Sequence, residues 1–159
     1  MMKWGIMGTG RIANVFCNTL QQMEDMQIYA IGSRHIDKAK DFAKEFQVEA
    51  YYGSYEELVN DKEVAVIYIA TPIAYHYEHV KMCLHAGKHV FCEKAFTLRA
   101  EEAKELSAIA KQKQLFLMEA LWTKCQPVYR KIIEWKEQGL LGHIQGIEAK
   151  FYTAGGVTV

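Results

Sequence analysis

The sequence has no Cys-X-X-Cys pair, no excess of one charge, and no apolar run near the roughly 20 residues that would span a bilayer. Each absence excludes something. The four cysteines, Cys17, Cys83, Cys92 and Cys125, lack the spacing of a redox motif and sit inside apolar segments. They read as reduced, buried thiols of a reducing compartment, so a cytoplasmic protein is expected. Lysine plus arginine and aspartate plus glutamate come to 19 each, so no global field draws the chain to nucleic acid or to an anionic membrane. Met1-Met2-Lys3 runs straight into a short apolar stretch, without the long apolar region and cleavage site of a signal peptide. Internal repeats, low-complexity tracts and long charge runs are also missing. What is left is a soluble chain of 159 residues, half of them apolar, enough for one domain with a real core.

What the sequence does contain is organised around Gly8-Thr9-Gly10-Arg11-Ile12-Ala13, which follows the apolar run Trp4 to Met7 and leads into a helix-period stretch, Ile12, Val15, Phe16 and Leu20. Strand, glycine turn and helix in that order form the phosphate-cradling start of a dinucleotide-binding unit. Gly8 lets the chain turn sharply, Gly10 lets backbone approach a pyrophosphate, and Ala13 is small enough for close helix–strand packing. The unpaired N–H groups and positive end of the helix then face the anion. A tight strand-to-helix turn needs glycine even without a ligand, so the motif has to be weighed with the rest of the chain.

Downstream, strand and helix periods alternate. Ile28 to Ile31 is a second strand, and Ala39, Phe42, Ala43 and Phe46 fall on one helical face. Ala50 to Tyr52 is an expected edge strand, and Ser54 with Glu57 matches a capping box for a short helix to about Asn60. Val64 to Ala70 is β-branched and unalternating, as a central parallel strand covered on both faces should be. A helix from about Tyr75 to Ala86 with Gly87 as its C′ residue, a strand Lys88 to Cys92, a helix capped by Thr97, and a strand Leu115 to Met118 complete the alternation. Repeated βα units with short connections argue for an α/β fold with a doubly wound, mainly parallel sheet. Val128, Ile132 and Trp135 mark one more helix ending near Gly139, and Ile144 to Phe151 reads as the opening strand of something else.

In such a sheet, ligands bind at the carboxyl ends of the strands, so four strand ends become candidates: the glycine turn, Ser33-Arg34, Thr71-Pro72 and Glu93-Lys94. Arg34 stands where a dinucleotide fold usually offers an acid to the ribose 2′-OH. Ser33 can donate a hydroxyl and Arg34 a guanidinium to a 2′-phosphate, with Lys38 one turn further on, which favours NADP while leaving NAD possible. Against this stands a plain polar loop with a solvated lysine. Lys94 would point a primary amine into the crevice, where partial desolvation would lower its pKa toward useful proton transfer. Glu93 could orient the cofactor ribose or the lysine, although alone Glu-Lys is an ordinary surface dipeptide. His76, His79 and Cys83 share a helical face, but no third rigid ligand at a telling spacing supports zinc, and no metal is expected. His76 is a candidate for facing the ligand.

The glycine turn, Thr71-Pro72 with His76, the run Ala86-Gly87-Lys88-His89-Val90-Phe91-Cys92-Glu93-Lys94, and Gly139-Leu140-Leu141-Gly142-His143-Ile144 together resemble the Gfo/Idh/MocA oxidoreductases. Ser54-Tyr55-Glu56-Glu57-Leu58 and Phe116-Leu117-Met118-Glu119-Ala120-Leu121-Trp122-Thr123 are similar to the dihydrodiol dehydrogenase branch. The resemblance implies an NADP-dependent enzyme passing hydride between a carbinol of a dihydrodiol or sugar-like small molecule and the nicotinamide. It assigns Lys94 as the catalytic lysine, with His76 and Trp122 as active-site neighbours. Gly8, Thr9, Gly10, Arg11, Ile12, Ser33, Arg34, Lys38, Thr71, Pro72, His76, Glu93 and Lys94 become cofactor-binding positions. Trp122 would offer an apolar wall, with core packing as its alternative.

Ala95 stands where the family usually has proline, and Lys124-Cys125 where this branch more often has Arg-Phe. The resemblance divides the chain into an NAD(P)-binding Rossmann domain, 1–120, and a connecting helix with the first strand of a second α+β domain, 121–159. That second domain would complete the substrate pocket and often the homodimer. The tail Thr153 to Val159 leaves no room for it, so a truncated chain is expected, doubtful as a dimer, with Ile144, Ile147 and Phe151 left uncovered. A non-catalytic dinucleotide-binding module or inactive fragment is the alternative from another class. A methyltransferase-like reading is disfavoured by Ser33-Arg34 and Glu93-Lys94.

Overall fold

Six short strands pair in parallel into one sheet in the computed structural model, which describes residues 1–150. They are β1 (Met2–Met7), β2 (Met26–Gly32), β3 (Ala50–Tyr52), β4 (Val66–Ile69), β5 (His89–Cys92) and β6 (Leu117–Glu119), in the spatial order β3-β2-β1-β4-β5-β6. This is the expected doubly wound α/β order, with the direction of winding reversed between β1 and β4. Helices α1 (Arg11–Leu20), α2 (Ile36–Glu45), α3 (Tyr55–Asn60), α4 (His76–His85) and α5 (Ala100–Gln112) make the crossovers.

Neighbouring residues of a strand point to opposite faces, and the core divides accordingly. Ile6, Ile31 and Tyr68 pack with Ala13 and Cys17 of α1 and Ala39, Phe42 and Ala43 of α2. Met7, Ile67, Ile69 and Val90 pack on the other face with Leu58, Val80, Leu84 and Leu106 of α3, α4 and α5. Every residue of β4 is buried, which explains its lack of alternation.

The register brings the strand ends into line. Met7 pairs with Gly32 and with Ile69, Ile69 with Cys92, and Cys92 with Glu119. Hydrogen bonding continues past those ends: Gly8 N donates to Gly32 O at 2.9 Å, Ala70 N to Met7 O at 2.9 Å, Glu93 N to Ile69 O at 3.0 Å, and Ala120 N to Cys92 O at 2.7 Å. The four strand ends picked out in the sequence therefore share one rim.

Helix ends follow local chemistry. Ser54 Oγ accepts from Glu57 N at 3.2 Å, opening α3. Gly87, at φ +76°, closes α4 in a Schellman motif, its N–H reaching Leu84 O at 3.1 Å and that of Lys88 reaching Cys83 O at 2.9 Å. The helix after β5 begins later than expected. Thr97 Oγ1 donates to Arg99 O at 2.9 Å, and Arg99, whose N–H donates to Glu102 Oε2 at 3.2 Å, takes the N-cap position in its place. The apolar face of α1 also differs, because Ala13, Cys17 and Leu20 are buried while Ile12 and Val15 stay exposed. The small residues let α1 lie close to the sheet, and that approach rotates the branched residues outward. Of the cysteines, Cys17, Cys83 and Cys92 are buried, whereas Cys125 is exposed.

By internal contacts the chain divides between Leu121 and Trp122. The second unit opens with a 3-10 turn, Trp122–Cys125, followed by α6 (Pro127–Glu137). Pro127 sits in the first turn, and Gly139, at φ +73°, ends the helix with Leu140 N donating to Trp135 O at 2.9 Å. The strand expected from Ile144 to Phe151 is absent over 144–150, where no hydrogen-bonded partner strand is present among the described residues; Phe151 lies outside them, as does the tail from Thr153. Among the described residues no helix is long and apolar enough to cross a membrane.

Gly32 closes β2 immediately before Ser33-Arg34. A Cβ there would lie 2.7 Å from Leu58 Cδ2 and 3.1 Å from Leu58 Cβ, and Leu58 is fully buried with no room to give. Gly32→Ala is therefore expected to destabilise the fold by about 1–3 kcal/mol, seen as a lowered denaturant midpoint with an unchanged m-value.

Candidate functional site

A cavity of about 470 Å³ opens where β1, β2 and β4 end, lined by Gly8, Thr9, Gly10, Ser33, Arg34, His35, Lys38, Tyr55, Ala70, Thr71 and Pro72. Gly8 holds φ +104°, and a Cβ on it would come within 3.0 Å of Ala70 O, so the turn needs glycine for its own geometry. Gly10 differs. Its φ is −86° and a Cβ on it would meet no protein atom within 4 Å. Neither backbone strain nor protein packing requires glycine at 10. The open space beside its backbone leaves room for a bound group to approach.

Gly10 also precedes α1, whose N-terminus has no side-chain cap, so its first N–H groups remain available to an anion beside the cavity. The cavity contains Ser33, Arg34 and Lys38 and no carboxylate among its lining residues. Ser33 is buried, and its Oγ accepts from His35 N at 3.4 Å, which leaves the hydroxyl proton to donate. These groups fit a phosphorylated dinucleotide.

Arg11 and Ile12 lie next to the cavity, exposed on the first turn of α1. His76 is placed otherwise than expected: it is 1% exposed and turned inward, with Nδ1 2.9 Å from Ala95 O and Nε2 2.8 Å from Thr71 O. Both partners are carbonyl oxygens, so the ring bridges the turn after β4 to the turn after β5, and it lines neither rim cavity. Glu93 is likewise engaged. Its Oε1 accepts from Tyr68 Oη at 2.6 Å and its Oε2 from Lys94 N at 3.2 Å. Burial, and then the bond to Glu93, push the Tyr68 phenol far above its ordinary pKa, so it remains a donor. The third support is Glu119, whose Oε1 accepts from Phe96 N at 2.8 Å.

The turn Glu93 to Phe96 is thus held from β4, α4 and the end of β6. Ala95 stands there without the rigidity of proline, and these hydrogen bonds supply it. Lys94 is exposed, so the described residues do not supply the partial desolvation expected for it. Trp122 belongs to the second unit and is 56% exposed.

Sequence reasoning passes over Tyr68, Glu119, Tyr55 and Tyr75 and takes His79 as plain packing. Tyr68 and Glu119 carry a signal in being the polar-tipped members of otherwise apolar strands. The aromatic residues carry none, because their meeting depends on two separate crossovers. His79 Nδ1 lies 2.9 Å from Thr71 Oγ1, and its ring meets Tyr55 edge-on at 4.8 Å and stacks with Tyr75 at 5.8 Å.

Burial, aided by His76 and Arg34 and opposed by Glu56, lowers the His79 pKa to about 4 from an ordinary 6.5. The folded state therefore keeps His79 neutral where the unfolded chain protonates it. That contribution to stability is fully present above pH 6.5 and is lost as pH falls toward 4. Thermal unfolding across this window is expected to show a falling midpoint in the wild type and a shallower fall in His79→Gln.

Comparison with known proteins agrees with this geometry. Residues 2–121 match the Gfo/Idh/MocA model, described as an oxidoreductase family with an NAD-binding Rossmann fold. The chain is 40% identical over 153 residues to the trans-1,2-dihydrobenzene-1,2-diol dehydrogenase of Xenopus laevis, covering 95% of this chain and 46% of that protein. It is 39% identical over 152 residues to the enzyme of the same name from Homo sapiens, covering 94% and 46%. Among solved structures, a 3-ketoreductase from Actinomadura kijaniata in complex with NADP superposes with a TM-score of 0.82 at 31% identity, over 91% of this chain and 46% of that one. The chain spans about half the length of the curated relatives it matches. With a turn, sheet order and sequence that all agree, the chain belongs to the Gfo/Idh/MocA oxidoreductase family, with its NAD-binding Rossmann fold.

Proposed function

We propose that this chain forms the NADP-binding part of an oxidoreductase that passes hydride between a carbinol carbon of a small dihydrodiol or sugar-like substrate and the nicotinamide. The observation that carries the cofactor choice is the carboxylate-free lining shared by Gly8, Gly10, Ser33, Arg34 and Lys38. An acid at the end of β2 would bind the ribose 2′-OH and repel a 2′-phosphate. A guanidinium and an ammonium do the reverse.

In this reading Gly8, Thr9, Gly10, Arg11 and Ile12 hold the pyrophosphate through backbone N–H groups and the helix end. Ser33, Arg34 and Lys38 take the 2′-phosphate, and Thr71 and Pro72 form the opposite wall. Bound NADP supplies the carbon that accepts or returns hydride. Lys94 Nζ handles the proton once bound nucleotide and substrate shield it from water: as neutral amine it takes the hydroxyl proton when the carbinol is oxidised, and as ammonium it gives the proton back in the reverse direction. Glu93, fixed by Tyr68, and His76, fixed between two carbonyl groups, hold the turn that carries Lys94. Trp122 enters as a substrate wall through the family resemblance. The substrate class follows the names of the relatives, dehydrogenases of a benzene dihydrodiol.

Fluorescence titration with NADPH and NADH tests this. The wild-type chain is expected to bind NADPH more tightly, and Arg34→Ala to lose about ten- to a hundredfold of that affinity while NADH binding changes little, as removal of a charged hydrogen-bonding partner predicts. Equal affinity for both nucleotides, or none in a folded chain, contradicts the proposal. The competing reading is a dinucleotide-binding module without turnover. Binding with no hydride transfer to any of a panel of diols and sugars selects it.

A further inference from the structure

Arg34 has a second set of neighbours besides the glycine turn. Its Cζ lies 5.6 Å from the ring centroid of Tyr75. Tyr75 ends the 3-10 turn Ile73–Tyr75, is 46% exposed, and belongs to neither core cluster. An exposed aromatic ring that the core does not use, set against the cation proposed to choose the cofactor, calls for a role. The ring is itself supported. His79 stacks with it at 22° between planes, Thr71 Oγ1 fixes His79, and Tyr55 meets His79 edge-on. Tyr55 is also under the influence of Arg34, which opposes the upward push of burial on its phenol. A further cavity of about 360 Å³ runs along this tier, with Arg34, Tyr55, Thr71 and Pro72 also lining the cavity beside the glycine turn.

We infer that Tyr75 is a specificity-determining positioning residue: its ring seats the face of the Arg34 guanidinium and leaves the N–H edge of that group to the 2′-phosphate. This inference rests on the NADP reading above. A guanidinium is flat, weakly hydrated on its faces and rich in donors along its edge, so it can stack and bind phosphate together. An unsupported arginine on an exposed loop would have to be ordered when the phosphate arrives. One already seated on a ring loses less freedom. NADH has no 2′-phosphate for that edge, so the ring acts on the preference between nucleotides and leaves their shared binding energy alone. Tyr75 touches no reacting atom and acts through Arg34.

The test measures NADPH and NADH dissociation constants for the full 159-residue chain, its Tyr75→Ala, Tyr75→Phe and Arg34→Ala variants, and the Arg34→Ala/Tyr75→Ala double variant. Tyr75→Ala is expected to lower the NADPH-over-NADH preference by about two- to fivefold, the range of an exposed cation–π contact, with NADH affinity unchanged. Tyr75→Phe should keep the preference, and the double variant should be no worse than Arg34→Ala. Where alanine unfolds the chain, Tyr75→Leu serves in its place, because it keeps apolar bulk without a π face. An unchanged preference in Tyr75→Ala, or an equal weakening of both nucleotides, overturns the inference while leaving the NADP reading intact. A wild-type chain with no preference overturns both.

Discussion

The parallel pairing of β1 with β4, in register from Trp4 with Val66 to Met7 with Ile69, is the constraint on which the rest depends. At this pair the sheet reverses its winding, so α1 and α4 leave from adjacent strand ends toward opposite faces and the gap between their first turns becomes a cavity. Ala70 N, bonded to Met7 O, fixes the depth of that gap, and Gly8 fits beneath Ala70 only because it has no Cβ. A slip of one residue would exchange the two faces of β4. Tyr68 would then move to the α4 side, away from Phe16, whose ring it stacks at 3.7 Å.

From the same register come two different kinds of precision. The glycine-turn end of the rim is built from backbone: a glycine turn, an uncapped helix and a serine held in its own turn. Its shape depends on the sheet and little on side-chain conformation. The Lys94 end is built from side chains reaching across strands, with Tyr68 on Glu93, His76 on Ala95 and Glu119 on Phe96. Backbone is well suited to phosphate, whose oxygens accept from many directions. The turn that carries Lys94 is held at several points by the hydrogen bonds around Ala95, the precision that the proton-transfer role proposed for Lys94 would need.

The sheet and the glycine turn are legible in the sequence because their signals are local. Val64 to Ala70 has the unbroken β-branched pattern of a strand buried on both faces, and Ala39, Phe42, Ala43 and Phe46 mark the face that α2 buries. Capping is legible for Ser54, where the acceptor is three residues from its donor, and misplaced for Thr97, whose hydroxyl is drawn to Arg99 O. The face of α1 is misread because hydrophobicity alone favours Ile12 and Val15, whereas close approach to the sheet favours Ala13 and Cys17. His76 and Glu93 stand out as residues of the site, but the direction in which each side chain points depends on partners 5 to 25 residues away in sequence. The tier of Arg34, Tyr55, Tyr75 and His79 draws on the connections after β2, β3 and β4, and no periodicity reports such a meeting.

In the proposed site the first turn of α1 and the end of β2 form one phosphate-binding rim. Amide ¹H–¹⁵N spectra of the chain recorded during addition of adenosine 2′,5′-bisphosphate and, separately, of 5′-AMP test it most directly. The amides of Gly10, Arg11 and Ile12 and those of Ser33 and Arg34 are expected to shift together along one saturation curve with the bisphosphate. With 5′-AMP, the Ser33 and Arg34 shifts should shrink while those at the glycine turn persist. Shifts scattered over the surface, or a glycine turn that responds to neither compound, would contradict it.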